Sequence, residues 1–285
     1  MIVVRRVDEL RDLVRAARMR RECIALVPTM GALHDGHLSL MQRARDECEF
    51  VVVSLFVNPA QFTESSDLDK YPRDEARDVR LTESVGVQVL FAPPVTEVYP
   101  VGFATTVEVA GLSAPLEGEA RGTQHFRGVA TVVTKLLNMV QPDVAFFGQK
   151  DAQQALIIKR LVLDLDLPVR IEICPTVREV DGLAMSSRNA LLDPAARQKA
   201  VALSKALATV EHAVARGEVR TAVALAAGSS LLEAEGIEPE YFAAVDVETL
   251  LPVTQFNGPT LIAIAARVGA VRLIDNVLIH GGVAS

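Results

Sequence analysis

Two histidines lie three residues apart in a short turn that also contains glycine. His34 and His37 follow an apolar run that ends at Val27, and a helical pattern begins near His37. Side chains three residues apart at a helix start can point to the same side. A helix N-terminus also offers free N–H groups and the positive end of a dipole, and both suit phosphate. We therefore expect this turn to bind phosphate.

Two other interpretations of the histidine pair stay open. A zinc site would use both imidazoles, although no third ligand is evident nearby. An ordinary solvated turn would contain two histidines by chance, although the whole chain has only five. Phosphate binding is the interpretation that we favour.

Other polar side chains follow predicted strands and could contact phosphates or a carboxylate. Lys150 lies where a strand turns into a helix, and it is either a counter-charge for polyphosphate or a common surface lysine. Residues 185–189 read Met-Ser-Ser-Arg-Asn. This segment is either a polar linker or a clamp that brings Arg188 to developing negative charge. Gln61 and Gln154 are neutral amides that could hold hydroxyls and a carboxylate.

Alternating strands and helices in the first 175 residues predict the frame for these side chains. Continuous apolar runs are typical of strands that are buried on both faces, and their alternation with helices predicts a right-handed parallel α/β sheet. Sites in such sheets lie at the carboxyl ends of strands. The predicted strands are Cys23–Val27, Phe50–Val57, Val87–Phe91, Val144–Phe147 and Val169–Cys174. The predicted helices lie near 38–48, 74–85, 129–140 and 152–163.

The pattern changes after about residue 176. Asp193 and Pro194 are typical of a helix start, and they open a long alanine-rich stretch that ends near Arg216. A second helix is predicted near 220–235. Three alternating runs then predict a small antiparallel sheet, at Tyr241–Val247, Leu261–Arg267 and Val271–Leu273. We expect a domain boundary in this region, with domains 1–176 and 177–285.

Composition and charge exclude several classes of protein. Half of the residues are hydrophobic and 23% are charged, which fits a packed globular chain and not a disordered one. The net charge of −7 argues against a nucleic-acid partner. We expect no membrane span, because no run of about 18 apolar residues exists.

The arginine-rich start and the cysteines both indicate a cytoplasmic protein. The first 21 residues contain acidic residues and no apolar core, so they do not resemble a targeting peptide. We expect Asp8 to cap a helix there, with an apolar face formed by Leu10, Leu13, Val14 and Ala17. We expect the three cysteines to be buried free thiols, at Cys23, Cys48 and Cys174.

The histidine turn and the later Met-Ser-Ser-Arg loop together resemble the nucleotidyltransferase superfamily, which includes the class I aminoacyl-tRNA synthetases. Six segments, in matching order and spacing, are similar to the pantothenate synthetase family. They are Pro28–Leu38, Phe56–Phe62, Tyr71–Arg73, His125–Val129, Phe147–Gln154 and Pro175–Asn189. Arg272–Asn276 is the clearest later similarity. The family usually has an Arg-Pro pair three residues before its His-Phe, whereas Arg121 lies four residues before His125, so we give Arg121 no role.

The resemblance implies a fold and a reaction. The fold would be a Rossmann-like parallel sheet that binds nucleotide and pantoate, followed by a smaller α+β lid domain. The reaction would join pantoate to β-alanine through a pantoyl adenylate, with ATP and Mg²⁺, and would release AMP and pyrophosphate. The protein would be a homodimer. Because the substrate carboxylate is itself the nucleophile, no Ser-His-Asp or Cys-His arrangement is needed.

The resemblance also assigns residues to roles. His37 would be the catalytic histidine, with His34, Lys150 and Arg188 beside it on the phosphates. The ATP site would comprise Met30, Gly31, Ala32, Leu33, His34, Asp35, Gly36, His37, Gly148, Gln149, Lys150, Asp151, Val177, Met185, Ser186, Ser187 and Arg188. Gln61 and Gln154 would hold pantoate, with Gln61 shared by β-alanine. The metal ligands stay unknown, and Asp78 is one candidate.

Three alternative functions stay open at this point. An adenylyltransferase of the same superfamily would keep the nucleotide in its product and would not release AMP. A nucleotide-binding regulator without catalysis is disfavoured, because His37, Lys150, Ser186 and Arg188 are all present. A tRNA synthetase is disfavoured by the acidic balance and by the lack of an anticodon-binding extension.

Overall fold

The computed structural model describes residues 1–62, 68–69 and 71–280, and its backbone forms two compact units. The first unit contains Met1–Gly148 and Gln153–Pro175, and the second contains Gln149–Ala152 and the chain from Thr176 onward. The nucleotide-binding role expected for residues 1–176 and the lid role expected for 177–285 stay predictions.

A six-stranded parallel sheet forms the centre of the first unit, in the order β1-β4-β3-β2-β5-β6. Its strands are β1 (Ile2–Val4), β2 (Ile24–Thr29), β3 (Phe50–Leu55), β4 (Val89–Phe91), β5 (Val144–Gly148) and β6 (Arg170–Cys174). The direction of winding reverses between β2 and β5. In open α/β sheets, ligands bind beyond the carboxyl ends of the strands at such a reversal. The expected α/β fold and the expected location of the site at strand ends are consistent with this order.

Helices pack against both faces of the sheet. Along β2, Ile24 and Leu26 contact one core cluster, whereas Ala25 and Val27 contact the other. This alternation is the period of two residues that a strand imposes. The helices of this unit are α1 (Val7–Met19), α2 (Asp35–Glu47), α3 (Glu75–Ser84), α4 (Val95–Val98), α5 (Glu117–Arg121), α6 (Thr123–Val140) and α7 (Ala152–Asp164). None of the helices among the described residues is long and apolar enough to cross a membrane.

Several element boundaries differ from the sequence predictions. Helix α2 begins at Asp35 and not near His37, so His34 is its N-cap and His37 lies in its first turn. Helix α6 begins at Thr123, six residues before its predicted start. The prediction that Asp8 caps α1 is wrong. Arg6 is the N-cap, and Asp8 instead pairs with the Arg6 guanidinium at 2.6 Å.

The second unit combines two helices with a three-stranded antiparallel sheet in the order β7-β8-β9. Helix α8 (Pro194–Ala215) starts at the predicted Asp193 cap, whose side chain accepts a hydrogen bond from the Ala196 N–H. The remaining elements are α9 (Thr221–Ala234), β7 (Pro239–Asp246), β8 (Pro259–Val268) and β9 (Val271–His280). Strand β9 continues seven residues past its predicted end at Leu273, because it pairs with β8 along its whole length.

The prediction of three free thiols is wrong for two of the cysteines. Cys23 and Cys48 form a disulfide, with their Cα atoms 4.8 Å apart. The parallel pairing of Ile24 with Phe50 explains their proximity, because it brings the residue before β2 close to the end of α2. Cys174 is buried and free, as predicted, and burial raises the pKa of its thiol.

Candidate active site

A buried carboxylate shapes the loop that follows β2. Asp78, on α3, accepts the Ala32 N–H on Oδ2 and the Leu33 N–H on Oδ1, both at 2.9 Å. Its side chain is only 1% exposed. The next residue back, Arg77, donates to the Leu33 carbonyl at 2.9 Å. Two adjacent residues of α3 therefore bind three main-chain groups of the loop.

This loop has an unusual backbone that the carboxylate helps to hold. Gly31 and Ala32 have φ angles of 83° and 51°, in the left-handed region that side chains disfavour. A Cβ atom on Gly31 would lie 2.8 Å from a Leu55 methyl group and 2.9 Å from Asp78 Oδ2. Glycine is therefore required at this position both by the φ angle and by the space available.

The loop delivers the two histidines to the first turn of α2. The His37 N–H donates to the His34 carbonyl at 2.8 Å, and the His34 N–H donates to His37 Nδ1 at 3.3 Å. The two rings lie 4.1 Å apart between centroids. Because Nδ1 of His37 accepts, the ring carries its proton on Nε2. The predicted pairing of the histidines on one side of the helix start is confirmed.

Gln61 is oriented by a buried asparagine. It lies in a 3₁₀ turn, Pro59–Gln61, directly after β3. Asn58 is 1% exposed and donates through Nδ2 to Gln61 Oε1 at 2.9 Å. The Gln61 amide in turn approaches Met30 Sδ, with Nε2 and sulfur 3.1 Å apart. The structure thus brings the predicted pantoate ligand Gln61 to the predicted ATP loop.

Two further residues support the Asn58 side chain. The Tyr99 hydroxyl donates to Asn58 Oδ1 at 2.7 Å, and burial raises the pKa of Tyr99 to about 12. Gly128 of α6 accepts from Asn58 Nδ2 at 3.1 Å. A Cβ atom on Gly128 would lie 2.3 Å from the Ala60 carbonyl oxygen. The missing side chain therefore allows α6 to lie directly against the turn that presents Gln61.

Lys150 lies in a 3₁₀ turn, Gln149–Asp151, that follows β5. Its side chain is 17% exposed, and its ammonium nitrogen lies 3.2 Å from Asp151 Oδ1. An ammonium group at this position can bind an anionic ligand through charge-assisted hydrogen bonds.

The Met-Ser-Ser-Arg segment begins beside Val177, because the Met185 N–H donates to the Val177 carbonyl at 2.9 Å. Ser186 then caps a 3₁₀ turn, Ser187–Leu191, by accepting the Arg188 N–H at 3.2 Å. Arg188 is exposed. The predicted contact residues Val177 and Met185 are therefore neighbours.

For the other residues singled out in the sequence, the surroundings indicate a role in some cases and not in others. Gln154 is partly buried in the first turn of α7, and no contact of its side chain identifies its role. Arg121 donates to the buried Glu117 carboxylate at 2.7 Å, so it has a structural partner. Gly148 is the last residue of β5. Both oxygens of Asp78 bind the loop, which does not support its candidacy as a metal ligand.

The part of the chain that the structure describes contains no cluster of three or more His, Cys, Asp or Glu side chains that could hold a metal ion. Among these residues, no such cluster adds a third ligand to His34 and His37 for a zinc ion. The sequence did not assign roles to Tyr99 or to Asn276. In the structure, Tyr99 binds Asn58, which orients the predicted ligand Gln61, and Asn276 binds the predicted ATP contact Gln149. The sequence did contain a signal for Asn276, because it lies in the Arg272–Asn276 segment that is similar to the family.

Comparison with known proteins identifies the family of this chain. The family model described as pantoate-beta-alanine ligase matches residues 2–278. The chain belongs to this family. A pantothenate synthetase of Pelotomaculum thermopropionicum is 48% identical over 280 residues, which cover 98% of this chain and 99% of that protein.

Solved structures of the pantoate-beta-alanine ligase family also match nearly the whole chain. Pantothenate synthetase from Thermus thermophilus is 48% identical with a TM-score of 0.91, covering 97% of this chain and 99% of that one. A pantoate-beta-alanine ligase from Francisella tularensis, complexed with beta-gamma ATP and beta-alanine, is 33% identical with a TM-score of 0.80. That match covers 98% of this chain and 97% of that chain. The expected fold class is thereby confirmed.

Proposed function

We propose that this chain joins pantoate to β-alanine with ATP, through a pantoyl adenylate, and releases AMP and pyrophosphate. Membership in the pantoate-beta-alanine ligase family supports the overall reaction. The observation that carries the adenylation step is the start of α2, where His34 and His37 follow a loop that a buried carboxylate holds. A helix start with two adjacent imidazoles is a site for phosphate.

The first step transfers the adenylyl group. A pantoate carboxylate oxygen attacks the α-phosphorus of ATP, and the bond from that phosphorus to the bridging oxygen breaks, so pyrophosphate leaves. Negative charge grows on the leaving phosphates in the transition state. His37 donates a hydrogen bond from Nε2–H to these oxygens, since its Nδ1 is already an acceptor. Such a donor stabilises the transition state more than bound ATP.

The second step forms the amide. The β-alanine amine attacks the carbonyl carbon of the adenylate, the bond from that carbon to the AMP oxygen breaks, and the amine loses a proton. Gln61 holds the pantoyl group and is shared with β-alanine, while Gln154 holds pantoate as well. The Asn58 amide fixes the direction of the Gln61 amide. The protein thus contributes orientation, which converts a bimolecular attack into an intramolecular one.

The remaining proposed contacts are to the nucleotide. Lys150 and Arg188 neutralise phosphate charge, and Ser186 and Ser187 donate hydrogen bonds to the phosphates from their neutral hydroxyls. Val177 contacts adenine, and Gly148 to Asp151 contact ribose and phosphate. A Mg²⁺ ion bound with ATP would be held mostly by phosphate oxygens and water and would offset phosphate charge. The described residues of this chain do not supply a carboxylate cluster for it.

We also propose that the protein is a cytoplasmic homodimer, which the family resemblance supports. Light scattering tests the oligomeric state, since a dimer has twice the 30.7 kDa mass of one chain. A mass of one chain at micromolar concentration would contradict the proposal.

The test of the function is product analysis with purified protein. ATP, pantoate and β-alanine together should yield AMP, pyrophosphate and pantothenate in equal amounts. Pantoate and ATP without the amine should support exchange of labelled pyrophosphate into ATP. Exchange that requires β-alanine would refute the two-step mechanism. A nucleotide retained in the final product would instead indicate an adenylyltransferase.

A further inference from the structure

Asn276, on β9, binds the turn that contains Lys150. Its Nδ2 donates to the Gln149 and Lys150 carbonyl oxygens, each at 2.9 Å. Its Oδ1 accepts from Gln149 Nε2 at 3.3 Å. Asn276 is 3% exposed. A single buried amide therefore uses both of its polar ends on one 3₁₀ turn.

The strand around Asn276 keeps this amide in place. Antiparallel pairing with β8 puts Asn276 opposite Ala263. The Asn276 N–H donates to Asp275 Oδ1 at 2.7 Å. The Asp275 carboxylate also binds the Arg178 guanidinium, with nitrogen–oxygen distances of 2.6 and 3.1 Å. A strand held by both a ladder and an ion pair is a rigid support for a side chain.

The chemistry of the contact requires a primary amide. Two carbonyl oxygens need two N–H donors, which one amide nitrogen supplies. Aspartate in place of Asn276 would direct oxygen lone pairs at both carbonyls and would add a negative charge beside Asp275. The carbonyls of Gln149 and Lys150 would then lose their donors, which is unfavourable for carbonyl groups that are partly shielded from water.

We propose that Asn276 is a positioning residue that sets the location of the Lys150 ammonium by holding the main chain of its turn. The inference rests on the proposed role of Lys150 at the polyphosphate. Because both ends of its amide bind the turn, Asn276 acts on the reaction through Lys150. Misplacement of a catalytic group by about 1 Å can cost about a hundredfold in rate. We therefore expect Asn276→Ala to lower the rate of adenylation by about ten- to a hundredfold.

A double-mutant cycle with Lys150 separates positioning from a general structural effect. Pyrophosphate exchange with pantoate and ATP is measured for the wild type, Asn276→Ala, Lys150→Ala and the double variant, per folded molecule. If Asn276 acts through Lys150, its loss should change the Lys150→Ala rate by less than about twofold, the usual limit of additivity. An equal fall in both backgrounds would overturn the inference.

Asn257→Ala is the matched control. Asn257 is an exposed asparagine of the same unit whose amide donates to Gln255 at 3.2 Å. It should leave the exchange rate unchanged, while circular dichroism monitors folding of every variant. If Asn276→Ala does not fold, Asn276→Ser keeps one donor and enters the same cycle.

The outcomes distinguish the inference from the proposed function. A wild type without exchange contradicts the proposed function itself. Full exchange by Lys150→Ala removes Lys150 from the machinery and overturns the inference with it. A third outcome separates the two. The wild type exchanges normally and Lys150→Ala is defective, but loss of Asn276 lowers the exchange rate equally in both backgrounds. This outcome overturns the inference and leaves the proposed function in place.

Discussion

Replacing Asp78 with asparagine tests whether one carboxylate shapes the loop between β2 and α2, where ATP contacts are predicted. Each oxygen of Asp78 accepts one main-chain N–H at 2.9 Å, from Ala32 and from Leu33. Asparagine has nearly the same shape but offers only one acceptor. Its NH₂ group would face one of these N–H groups, donor against donor, in a place that is 1% exposed.

The magnitude follows from the two hydrogen bonds. A hydrogen bond to a charged group contributes about 1.5–3 kcal/mol, and a buried donor left without a partner costs about 1–3 kcal/mol. These two numbers describe largely the same loss and are not summed. The left-handed backbone at Ala32, which costs about 1–2 kcal/mol, also loses part of its support. We expect Asp78→Asn to lower the free energy of unfolding by about 2–4 kcal/mol.

The assay is urea unfolding followed by circular dichroism, together with ATP titration of the exchange rate. Asp74→Asn is the matched control on the same helix. The Asp74 side chain caps α3 by accepting the Arg77 N–H at 3.0 Å, and asparagine caps equally well. The control should therefore change stability by only a few tenths of a kcal/mol.

The ATP titration adds a functional readout to the Asp78→Asn comparison. A loop without its support should raise KM for ATP more than KM for pantoate, because the loop comprises predicted ATP contacts. Equal unfolding midpoints for Asp78→Asn and Asp74→Asn would refute the reasoning about the carboxylate.

Three further predictions concern separate parts of the chain. His37→Gln places an amide nitrogen near the position of Nε2, whereas His37→Asn places it near Nδ1. Adenylation rates should therefore fall in the order wild type, His37→Gln, and then His37→Asn and His37→Ala. The affinity for ATP should change less than the rate. A full rate in folded His37→Ala would exclude a catalytic role. In denaturant without reductant, a thiol reagent should detect one free thiol per chain. That thiol is Cys174, because Cys23 and Cys48 are bonded to each other. Detection of three thiols would contradict the disulfide. Because burial raises the pKa of Tyr99 from 10.0 to about 12, unfolding releases its proton between these pH values, so stability falls as pH rises through this range. Urea titrations across that range should show a smaller fall for Tyr99→Phe than for the wild type, and equal falls would contradict the burial argument.

The sheet could be predicted because its strands are continuous apolar runs. A short run rich in valine, such as Phe50–Leu55, favours a strand that is buried on both faces. Strand β1 was not predicted, because it has only three residues, Ile2–Val4, and an arginine-rich stretch follows it directly. The disulfide was not predicted, because no local feature of the sequence indicates that Cys23 lies close to Cys48. Their proximity depends on the register of β2 against β3.

The chemical groups of the candidate site were easier to propose from the sequence than the residues that hold them. His37 and Lys150 follow β2 and β5 along the chain, and sites in parallel sheets are expected beyond such strand ends, so the sequence alone was enough to propose them as site residues. Their supports are distant in sequence. Asp78 lies 45 residues from Leu33, and Asn276 lies 126 residues from Lys150. Such contacts depend on tertiary packing, which residue spacing does not encode.

The supports nevertheless share a chemical type that follows from the geometry of loops. A loop at a strand end has main-chain N–H and C=O groups that no ladder satisfies, and these groups need partners when they are buried. Asp78 accepts N–H groups, Asn276 donates to carbonyls, and Asn58 directs a side-chain amide. Short Asp and Asn side chains suit this role, because they have few rotatable bonds to immobilise. A buried Asp or Asn on a helix or strand beside an active-site loop is therefore a rational target for mutagenesis in this fold, before the exposed charges around it.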